Sequence, residues 1–394
     1  MKFGVLKDIK IGECRVVSTP CEVKILVDEG AEIYVEHNAG KLAGFDDEEY
    51  INAGGKIFAT REEIYSTCDM VAKIKEIEPS EYKLLRENQI IFSCIHPAAH
   101  PEEVQALLDK KVTSFTAEDT YRYGSPNCEA AGKAGAFMGL YAMMSLNGGC
   151  GKFVSGLAGA PNIKAMVLGY GLVGSAATDF LHRLGAWVTI GDINYNRHLN
   201  IENKYHGNVN TFFSNKQTIE KILPDIDLVV NCDRWPKDNK EFLIDRKMVK
   251  SMRKGSVIVD ISNDYGVIET FHETNHNNPM YIEEGVVHYC VPNIPSLIAG
   301  STSIANSACL VNHFKNILKN GVIKACEKDE YLRRGLVSYK GYLTHEETST
   351  IQDRPWVKPE VILDIYNKNL KYAPKCTSSY SNNYYKEFEK PCNR

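Results

Sequence analysis

Several features that would place a chain in other classes of protein are missing from this sequence of 394 residues. It has no uninterrupted run of about 20 apolar residues, the length that a membrane-spanning helix needs, and its longest apolar run, residues 134–144, is about half as long. Charged residues spread through the first fifteen positions leave no apolar core for a secretory signal. We therefore expect neither membrane insertion nor export, and a cytoplasmic location.

An excess of one charge and closely spaced cysteine pairs are also missing. Lysine and arginine number 46 against 50 acidic residues, and this net charge of -4 offers no broad basic field to nucleic acid or to an anionic membrane. The twelve cysteines contain no C-x-x-C pair, and several, such as Cys94 and Cys290, lie in strand-like surroundings. We expect reduced thiols, no metal site and a small-molecule partner.

What the sequence does contain is an alternation of short apolar runs with amphipathic stretches of helical length. From residue 1 to about residue 120 this alternation is typical of βαβ units and a mostly parallel sheet. Helices are predicted to open at Pro20 and Pro101, where proline suits a first helical turn. The predicted strands are residues 3–6, 32–36, 70–74, 90–95 and 112–116.

A second series of the same kind begins near Lys164. Its predicted strands are residues 165–168, 187–190, 227–231, 256–261 and 288–291. Before it, residues 129–144 predict a long buried helix in which Gly135 and Gly139 permit close packing. The fold class that follows is α/β, with two doubly wound, Rossmann-like domains and a cleft between them.

The predicted domain boundaries follow from these two series. Residues 128–300 are expected to form a dinucleotide-binding Rossmann domain. Residues 1–127 are expected to form a substrate (catalytic) domain together with residues 301–370, because a helical stretch at 301–319 can return the chain to the first domain. Residues 371–394, rich in Tyr, Ser, Asn and Lys and without an apolar period, predict a loosely ordered C-terminal tail.

A glycine-rich turn follows the first strand of the second series. Gly169, Gly171 and Gly174, with Leu172 and Val173 between them, form the pattern G-x-G-x-x-G, and a helical stretch follows. The first glycine permits a tight turn, the second lets the backbone approach a pyrophosphate, and the third permits close helix packing. The phosphates of a dinucleotide would then lie at a helix N-terminus.

An acidic residue ends the next strand, about twenty positions after this turn, as dinucleotide sites require. Asp192 would accept hydrogen bonds from the ribose hydroxyls and repel a 2′-phosphate, which favours NAD(H). Arg197 lies close by and keeps NADP(H) as an alternative. We therefore include both residues in the predicted cofactor site.

Polar residues follow the predicted strands on the side where an open parallel sheet binds its ligand. They are Arg15, Lys75, His96 and Asp264. Each also has a structural interpretation: a surface ion pair, a solvated strand end, a turn residue and a turn cap, respectively. Together they supply a fork of donors for a carboxylate, a cation near a carbonyl and a group that titrates near neutrality.

Over residues 1 to about 350 the chain resembles the alanine dehydrogenase and pyridine nucleotide transhydrogenase family. The resemblance rests on residues 1–5, 13–16, 73–76, 169–174 and 191–194, together with two single positions, His96 and Asp264. It implies that Arg15 clamps a substrate carboxylate and that Lys75 holds the carboxylate and the carbonyl oxygen. It also implies that His96 is the general acid and base, that Asp264 lies beside substrate and nicotinamide, and that the protein is a homo-oligomer.

Three departures from that family's pattern gather around the substrate. Pro97 stands where alanine dehydrogenases usually carry leucine, and residues 231–238 and 291–298 also differ. All three resemble carboxyethyl-ornithine synthase, an opine-type relative that condenses pyruvate with the side-chain amine of an amino acid. Asn293, in the last of these segments, is a candidate substrate-binding residue.

These observations leave several functions open. The leading one is reversible reductive amination of a 2-oxo acid, pyruvate by resemblance, with either ammonia or the side-chain amine of ornithine or a similar amino acid. A saccharopine-type dehydrogenase would use the same lysine and histidine. A non-catalytic nucleotide-binding subunit, like the soluble part of a transhydrogenase, would require a membrane partner.

Overall fold

The computed structural model describes residues 1–233, 235, 241–262 and 266–374, and the chain divides into two compact units. Unit one comprises Met1–Ser125 and the chain from Ile298 onward, and unit two is Pro126–Leu297. Each unit contains one mostly parallel sheet with helices connecting its strands. The predicted α/β fold class with two doubly wound units is confirmed, while most of the predicted tail, from residue 375 on, lies outside the described residues.

Unit one begins with the βαβ series that the apolar alternation predicted. All five predicted strands are present, and an additional three-residue strand, Lys56–Phe58, pairs with the strand Glu32–Glu36. The helices predicted at Pro20 and Pro101 are confirmed. The strands are β1 (Lys2–Val5), β2 (Glu32–Glu36), β3 (Lys56–Phe58), β4 (Met70–Ala72), β5 (Ile90–Ser93) and β6 (Thr113–Thr116), and the α-helices are α1 (Pro20–Asp28), α2 (Asp47–Asn52), α3 (Arg61–Thr67) and α4 (Pro101–Asp109).

Unit two is built around a second sheet with the strand order β12-β13-β11-β10-β7-β8-β9. Its last predicted strand, 288–291, lies two residues earlier in the structure, and β9 and β12 were not predicted. The elements are α5 (Pro126–Ala142), β7 (Lys164–Leu168), α6 (Leu172–Arg183), β8 (Trp187–Asp192), α7 (Tyr195–Tyr205), β9 (Asn210–Phe213), α8 (Lys216–Ile222), β10 (Leu228–Asn231), α9 (Arg246–Ser251), β11 (Val257–Asp260), β12 (Met280–Glu283) and β13 (Val286–Tyr289).

The glycines of α5 allow this helix to lie directly against its neighbours. A Cβ on Gly135 would lie 2.5 Å from the Ile261 side chain, and one on Gly139 would meet side chains of the sheet. Gly132, which the sequence analysis did not single out, is more restrictive, because its Cβ would lie 2.1 Å from the carbonyl oxygen of Val173 in α6. The predicted close packing of this helix is therefore confirmed.

The chain completes unit one after residue 298. The predicted helix at 301–319 is confirmed and longer than expected, and Gly321, at φ 72°, interrupts its regular geometry. Phe314 of this helix packs against Phe3 and Phe92 of the sheet, with ring centroids 5.0 and 4.9 Å apart. The elements are α10 (Ala299–Lys328), α11 (Glu330–Arg334), β14 (Leu336–Tyr339), β15 (Tyr342–Leu343), α12 (Glu346–Gln352) and α13 (Pro359–Ile362).

Among the residues that the structure describes, one helical segment is long and apolar enough to cross a membrane by length and composition. It is Ile294–Lys328 rather than the run at 134–144, and 56% of its most apolar window is buried inside the structure. Core helices of soluble proteins pass the same test, so the segment is weak evidence for a membrane span.

Candidate active site

Four charged or titratable side chains follow four strands that are neighbours in the sheet of unit one. The strand order β15-β14-β6-β5-β4-β1-β2-β3 puts β6, β5, β4 and β1 side by side. Their pairing is parallel, so their carboxyl ends lie at the same edge. Glu118, His96, Lys75 and Arg15 follow these ends in that order, and this edge is where an open parallel sheet binds ligands.

Arg15 is held in place by a carboxylate two residues earlier. Its Nε donates to Glu13 Oε1 at 2.7 Å, and one Nη donates to Glu13 Oε2 at 2.6 Å. Burial opposes the charge, but the Glu13 carboxylate outweighs it and raises the pKa of Arg15. The side chain is buried, so the interpretation of Arg15 as a surface ion pair is wrong.

Hydroxyl groups of α10 fix the loop that carries Arg15. Ser303 Oγ accepts a hydrogen bond from the backbone N–H of Val16 at 3.0 Å. Ser307 Oγ accepts one from the N–H of Thr19, also at 3.0 Å. The helix therefore satisfies backbone donors of a buried loop that no strand pairs.

Lys75 lies among acidic and basic side chains that follow β4 and β1. Its backbone N–H donates to Asp8 Oδ2 at 2.8 Å, and its Nζ lies 3.5 Å from Glu76 Oε2. Glu76 also pairs with Lys10. Burial alone would raise the pKa of Glu76, but Lys75 and Lys10 outweigh burial and lower it to about 2. The Lys75 cation is thus only partly exposed and has a carboxylate beside it.

His96 has an unusual backbone conformation and a carboxylate partner. Its φ of 47° is in the left-handed region, which costs a residue other than glycine on the order of 1–3 kcal/mol. Glu118 Oε1 accepts from the His96 N–H at 2.7 Å and lies 3.3 Å from the ring Nδ1. The side chain is 38% exposed. Desolvation lowers the pKa of His96, and the Glu118 carboxylate opposes that effect.

The three residues predicted in unit one lie within electrostatic reach of one another. Burial raises the pKa of the Cys94 thiol, while the positive charges of Lys75 and Arg15 lower it, so both cations lie near Cys94. Lys75 and Glu118 both affect the pKa of His96. The sheet therefore brings Arg15, Lys75 and His96 together.

Four carboxylates at this site, those of Asp8, Glu13, Glu76 and Glu118, were not among the predicted site residues. Glu118 follows β6 as His96 follows β5, so the strand-end criterion would have found it had it been applied to every strand. Glu13 gave no separate signal, because a carboxylate two residues from an arginine is common on protein surfaces. Its role comes from burial of the pair.

The glycine-rich turn of unit two has the predicted strand-turn-helix geometry. Gly169 adopts φ 80°, and α6 begins immediately after Gly171. A Cβ on Gly174 would lie 1.8 Å from the carbonyl oxygen of Gly169, whereas no atom of the described residues lies within 4 Å of a Cβ on Gly171. The open space at Gly171, with the backbone N–H groups of Leu172 and Val173 in the first turn of α6, fits a pyrophosphate.

Asp192 ends β8 and is tightly bound by its neighbours. It accepts hydrogen bonds from the backbone N–H groups of Tyr170 at 2.7 Å and Asn194 at 2.8 Å. Arg197 Nη1 donates to Asp192 Oδ2 at 2.9 Å. A carboxylate has about four acceptor positions, so this arrangement leaves capacity for a ribose hydroxyl.

Asp233 is a second acidic residue near the glycine-rich turn. A Cβ on Gly169 would lie 2.5 Å from Asp233 Oδ1. Burial, followed by the nearby Asp192 carboxylate, raises the pKa of Asp233 to about 7. The sequence analysis mentioned this residue only as part of the departing segment 231–238.

Two predicted site residues remain, Asp264 as a catalytic residue and Asn293 as a substrate-binding residue. Asp264 lies outside the described residues. Asn293 belongs to unit two, is half-buried and adopts φ 63°, so it lies in a turn after β13.

The fold and the glycine-rich turn define a class of protein. A doubly wound unit with a glycine-rich turn opening a helix, and a strand that ends in an acid, characterises α/β proteins that bind dinucleotides. The sheet of unit one adds a cluster of cations and one imidazole at its ligand-binding edge.

Comparison with known proteins gives the family. Residues 4–126 match the model of the alanine dehydrogenase/PNT N-terminal domain, and residues 135–346 match the model of the C-terminal domain. The chain belongs to the alanine dehydrogenase and pyridine nucleotide transhydrogenase family.

Relatives match along most of the chain. The alanine dehydrogenase of Methanococcus maripaludis is 35% identical over 372 residues, which is 92% of this chain and 100% of the relative. That of Staphylococcus haemolyticus is 34% identical over 354 residues, 88% of this chain and 95% of the relative.

Solved structures support the same fold. An L-alanine dehydrogenase has a TM-score of 0.84 at 32% identity, covering 90% of this chain and 99% of its own. A transhydrogenase from Sinorhizobium meliloti has a TM-score of 0.72 at 20% identity, covering 88% of this chain and 99% of its own, and shows the fold alone. The chain is accordingly an oxidoreductase that acts on CH–NH2 groups, with a pyridine nucleotide cofactor and small-molecule substrates.

Proposed function

We propose that this protein catalyses the reversible, NAD-dependent reductive amination of pyruvate with ammonia to give alanine. The observation that carries the proposal is the cluster of Arg15, Lys75 and His96 at adjacent strand ends, in a chain 35% identical to an alanine dehydrogenase over 92% of its length. Arg15 and Lys75 supply two cations for the substrate carboxylate, and His96 supplies a proton-transfer group for the reaction at the carbon that carries the oxo or amino group.

Each side chain has a distinct role in the proposal. The guanidinium of Arg15, oriented by Glu13, binds the substrate carboxylate, and Lys75 binds the carboxylate and the carbonyl oxygen. His96, whose pKa is lowered by burial, is neutral at pH 7 and accepts the proton of the attacking water during alanine oxidation. In the opposite direction it returns that proton to the departing hydroxyl. The bound nicotinamide supplies or accepts the hydride.

The proposed cofactor is NAD(H) rather than NADP(H). Support comes from Asp192, whose carboxylate would repel a 2′-phosphate. Arg197 would favour a 2′-phosphate, but it is paired with Asp192. The glycine-rich turn and the start of α6 hold the pyrophosphate in this proposal.

A second candidate differs only in the amine. The side-chain amine of ornithine or a similar amino acid replaces ammonia, and the product is a secondary amine. Support comes from Pro97 and from the segments that resemble carboxyethyl-ornithine synthase. A saccharopine-type dehydrogenase would use the same lysine and histidine.

The setting of the reaction is also a proposal. We propose a cytoplasmic homo-oligomer that acts on a free 2-oxo acid and a free amine. A transhydrogenase-like subunit would instead transfer hydride to a second nicotinamide without any 2-oxo acid.

The test is an assay of NADH or NADPH oxidation at 340 nm with pyruvate and, separately, ammonia, ornithine and lysine. The proposal expects turnover with NADH and ammonia, and turnover with ornithine alone would support the second candidate. Lys75→Ala should lower kcat/KM by about 100-fold or more, because it removes a group that contacts the reacting carbonyl. Lys56→Ala, at an exposed lysine of β3, is the matched control. No turnover of the parent with any combination would refute the proposal.

A further inference from the structure

Helix α12 is bonded at both ends to turns that follow strands of unit one. His345, its N-cap, contacts Asp119 after β6, with 2.8 Å between Nε2 and Asp119 Oδ2. Gln352, its last residue, donates from Nε2 to the carbonyl oxygen of Pro97 after β5 at 2.7 Å. The proposed proton-transfer imidazole and its carboxylate partner lie in the same two turns, each one residue earlier.

Further side chains of the returning chain hold the turn after β6. Arg334 Nε donates to the carbonyl oxygen of Asp119 at 2.7 Å, and one Nη donates to that of Tyr121 at 3.1 Å. His313 Nε2 lies 3.2 Å from the carbonyl oxygen of Thr120. Three consecutive residues of this turn are thus bonded to the returning chain, so the turn gives the carboxylate that precedes them a fixed backbone.

Side chains of Glu118 and Gln352 hold the turn after β5. Its first residue, His96, has the left-handed backbone conformation, which persists only where the surroundings support it. Glu118 accepts from the His96 N–H at 2.7 Å, and Gln352 Nε2 binds the carbonyl oxygens of the next two residues. Gln352 Oε1, in contrast, is buried and has no hydrogen-bond partner among the described residues. A buried acceptor without a partner is destabilising, so the contribution of this side chain comes from its N–H group.

We propose that Gln352, on a helix that His345 anchors to the turn after β6, is a positioning residue for the proton transfer: it holds the imidazole of His96 at contact distance from the Glu118 carboxylate. This inference rests on the proposed function, in which His96 moves the proton. The separation matters because the interaction of two charges weakens with distance, and Glu118 Oε1 lies 3.3 Å from His96 Nδ1.

The charged groups near the His96 imidazole come from several loops. Burial lowers the pKa of His96, and the Glu118 carboxylate opposes that effect. A variant of the uncharged Gln352 leaves all neighbouring charges in place, so it acts on the pKa of His96 through position. The other neighbouring charges are those of Lys75, Glu76 and His100, and the segment of α12 adds His345 and Glu347.

The test measures the pKa of His96 without relying on turnover. Diethyl pyrocarbonate reacts with neutral imidazole, and the His96 side chain is exposed enough to be reached. The pH dependence of this reaction, located at His96 by tandem mass spectrometry, therefore gives the pKa. Gln352→Met and Gln352→Ala both remove the donor. Each should lower the pKa of His96 by about half a pH unit or more, because the imidazolium moves away from the carboxylate that stabilises it.

A second background shows whether Gln352 acts through Glu118. In Glu118→Gln the carboxylate charge is absent and its distance no longer matters, so adding Gln352→Met should lower the pKa of His96 no further. Thr350→Ala is the matched control, because Thr350 is exposed on α12 and its hydroxyl donates to the carbonyl oxygen of Glu346 within the helix. This control should keep the parental pKa.

Two results would overturn the proposal. One is a parental pKa of His96 in both Gln352 variants, and the other is an equal lowering in the parent and Glu118→Gln backgrounds. Absence of turnover in the parent would refute the proposed function, while the diethyl pyrocarbonate reaction would still show whether Gln352 positions the imidazole. Circular dichroism melts identify an unfolded variant, and Gln352→Ala, which adds no bulk, decides if Gln352→Met does not fold.

Discussion

Two opposing effects, burial and the Glu118 carboxylate, act on the pKa of His96. Its partial burial disfavours the imidazolium, and the Glu118 carboxylate, 3.3 Å from Nδ1, favours it. The same carboxylate binds the His96 backbone N–H, so it also supports the left-handed backbone conformation of this residue. One side chain therefore influences both the charge and the position of the proposed proton-transfer group.

Replacing Glu118 tests this relation. Glu118→Gln keeps an oxygen for the backbone N–H but removes the charge, so the pKa of His96 should fall further. His96 must be neutral in alanine oxidation, so the pH profile of kcat/KM has an acidic limb along which activity falls as His96 is protonated. In Glu118→Gln this limb should move by about one pH unit toward lower pH. Glu62→Gln, on the exposed face of α3, is the control and should leave the limb unchanged. An unmoved limb in Glu118→Gln would contradict the role assigned to this carboxylate.

Glu103 is a buried carboxylate whose ionisation affects the stability of unit one. Its Oε1 accepts from the Ile77 N–H at 2.8 Å, and burial raises its pKa to about 7. An unfolded glutamate titrates near 4.3. The folded state thus binds the proton more tightly, so the resulting stabilisation is present below about pH 4.3 and is lost as the pH rises through 7.

Glu103→Gln should remove this pH dependence. The variant keeps the acceptor for the Ile77 N–H but cannot ionise. Between pH 5 and pH 8 the free energy of unfolding should therefore fall by about 2 kcal/mol more in the parent than in the variant. Thermal melts at the two pH values measure the difference. Glu102→Gln, at the exposed neighbouring position, should behave as the parent does. If the parent and Glu103→Gln showed the same pH dependence, the raised pKa would be wrong.

At the scale of elements, α10 both completes the core of unit one and positions the Arg15 loop. Its apolar face buries Leu310 and Phe314, and the Ser303 and Ser307 hydroxyls on the same helix accept from loop N–H groups. The sequence analysis predicted the helix from its apolar period. It did not predict the hydroxyl contacts, because they join residues almost 300 positions apart.

Removing one hydroxyl should affect the site through the loop. Ser303→Ala leaves the buried N–H of Val16 without its acceptor, which costs about 1–3 kcal/mol. The loop that carries Arg15 should loosen, so KM for the 2-oxo acid should rise several-fold while the dissociation constant for ADP-ribose stays constant. Steady-state kinetics and calorimetry measure the two effects. Ser301→Ala, on the exposed face of the same helix, should change neither, and an unaltered KM in Ser303→Ala would count against the loop contact.

At the scale of the whole molecule, the two units differ in how the chain builds them. Unit two is one continuous stretch, and alternate residues of its strands contribute to two apolar clusters. Unit one is discontinuous, since its core combines Phe3 and Phe92 with Phe314 and Leu336 from the returning chain. Only the continuous unit carries a complete core in one segment.

Separate expression should reveal this difference. Residues 126–297 alone should unfold cooperatively on heating and bind ADP-ribose, because their core is complete. Residues 1–125 alone should not unfold cooperatively, because their core lacks α10 and β14. Circular dichroism melts and calorimetry are the measurements, with the full chain as the reference. A cooperative melt of 1–125, or an unfolded 126–297, would contradict this account of the cores.

The accuracy of the sequence analysis varied with the kind of element. The predicted strands all lie in the interior of a sheet, whereas the four edge strands β3, β9, β12 and β15 were missed, as was the interior strand β14. Asn210 and Thr211 begin β9 without an apolar alternation, and they are strand residues because β8 pairs with them. At the site, Arg15, Lys75 and His96 were predicted because each follows a recognisable strand. Glu118 follows a strand as well, but its significance depends on its distance from His96.

By itself, the sequence determined which segments become strands and helices and where the glycine-rich turn lies, because apolar period and glycine placement are local properties. Only the tertiary structure decided that the ends of β1, β4, β5 and β6 are neighbours, because strand order depends on contacts between distant segments. It also decided the ionisation of His96, Glu103 and Asp233, since each of these pKa values is shifted mainly by burial, which exists only in the folded chain.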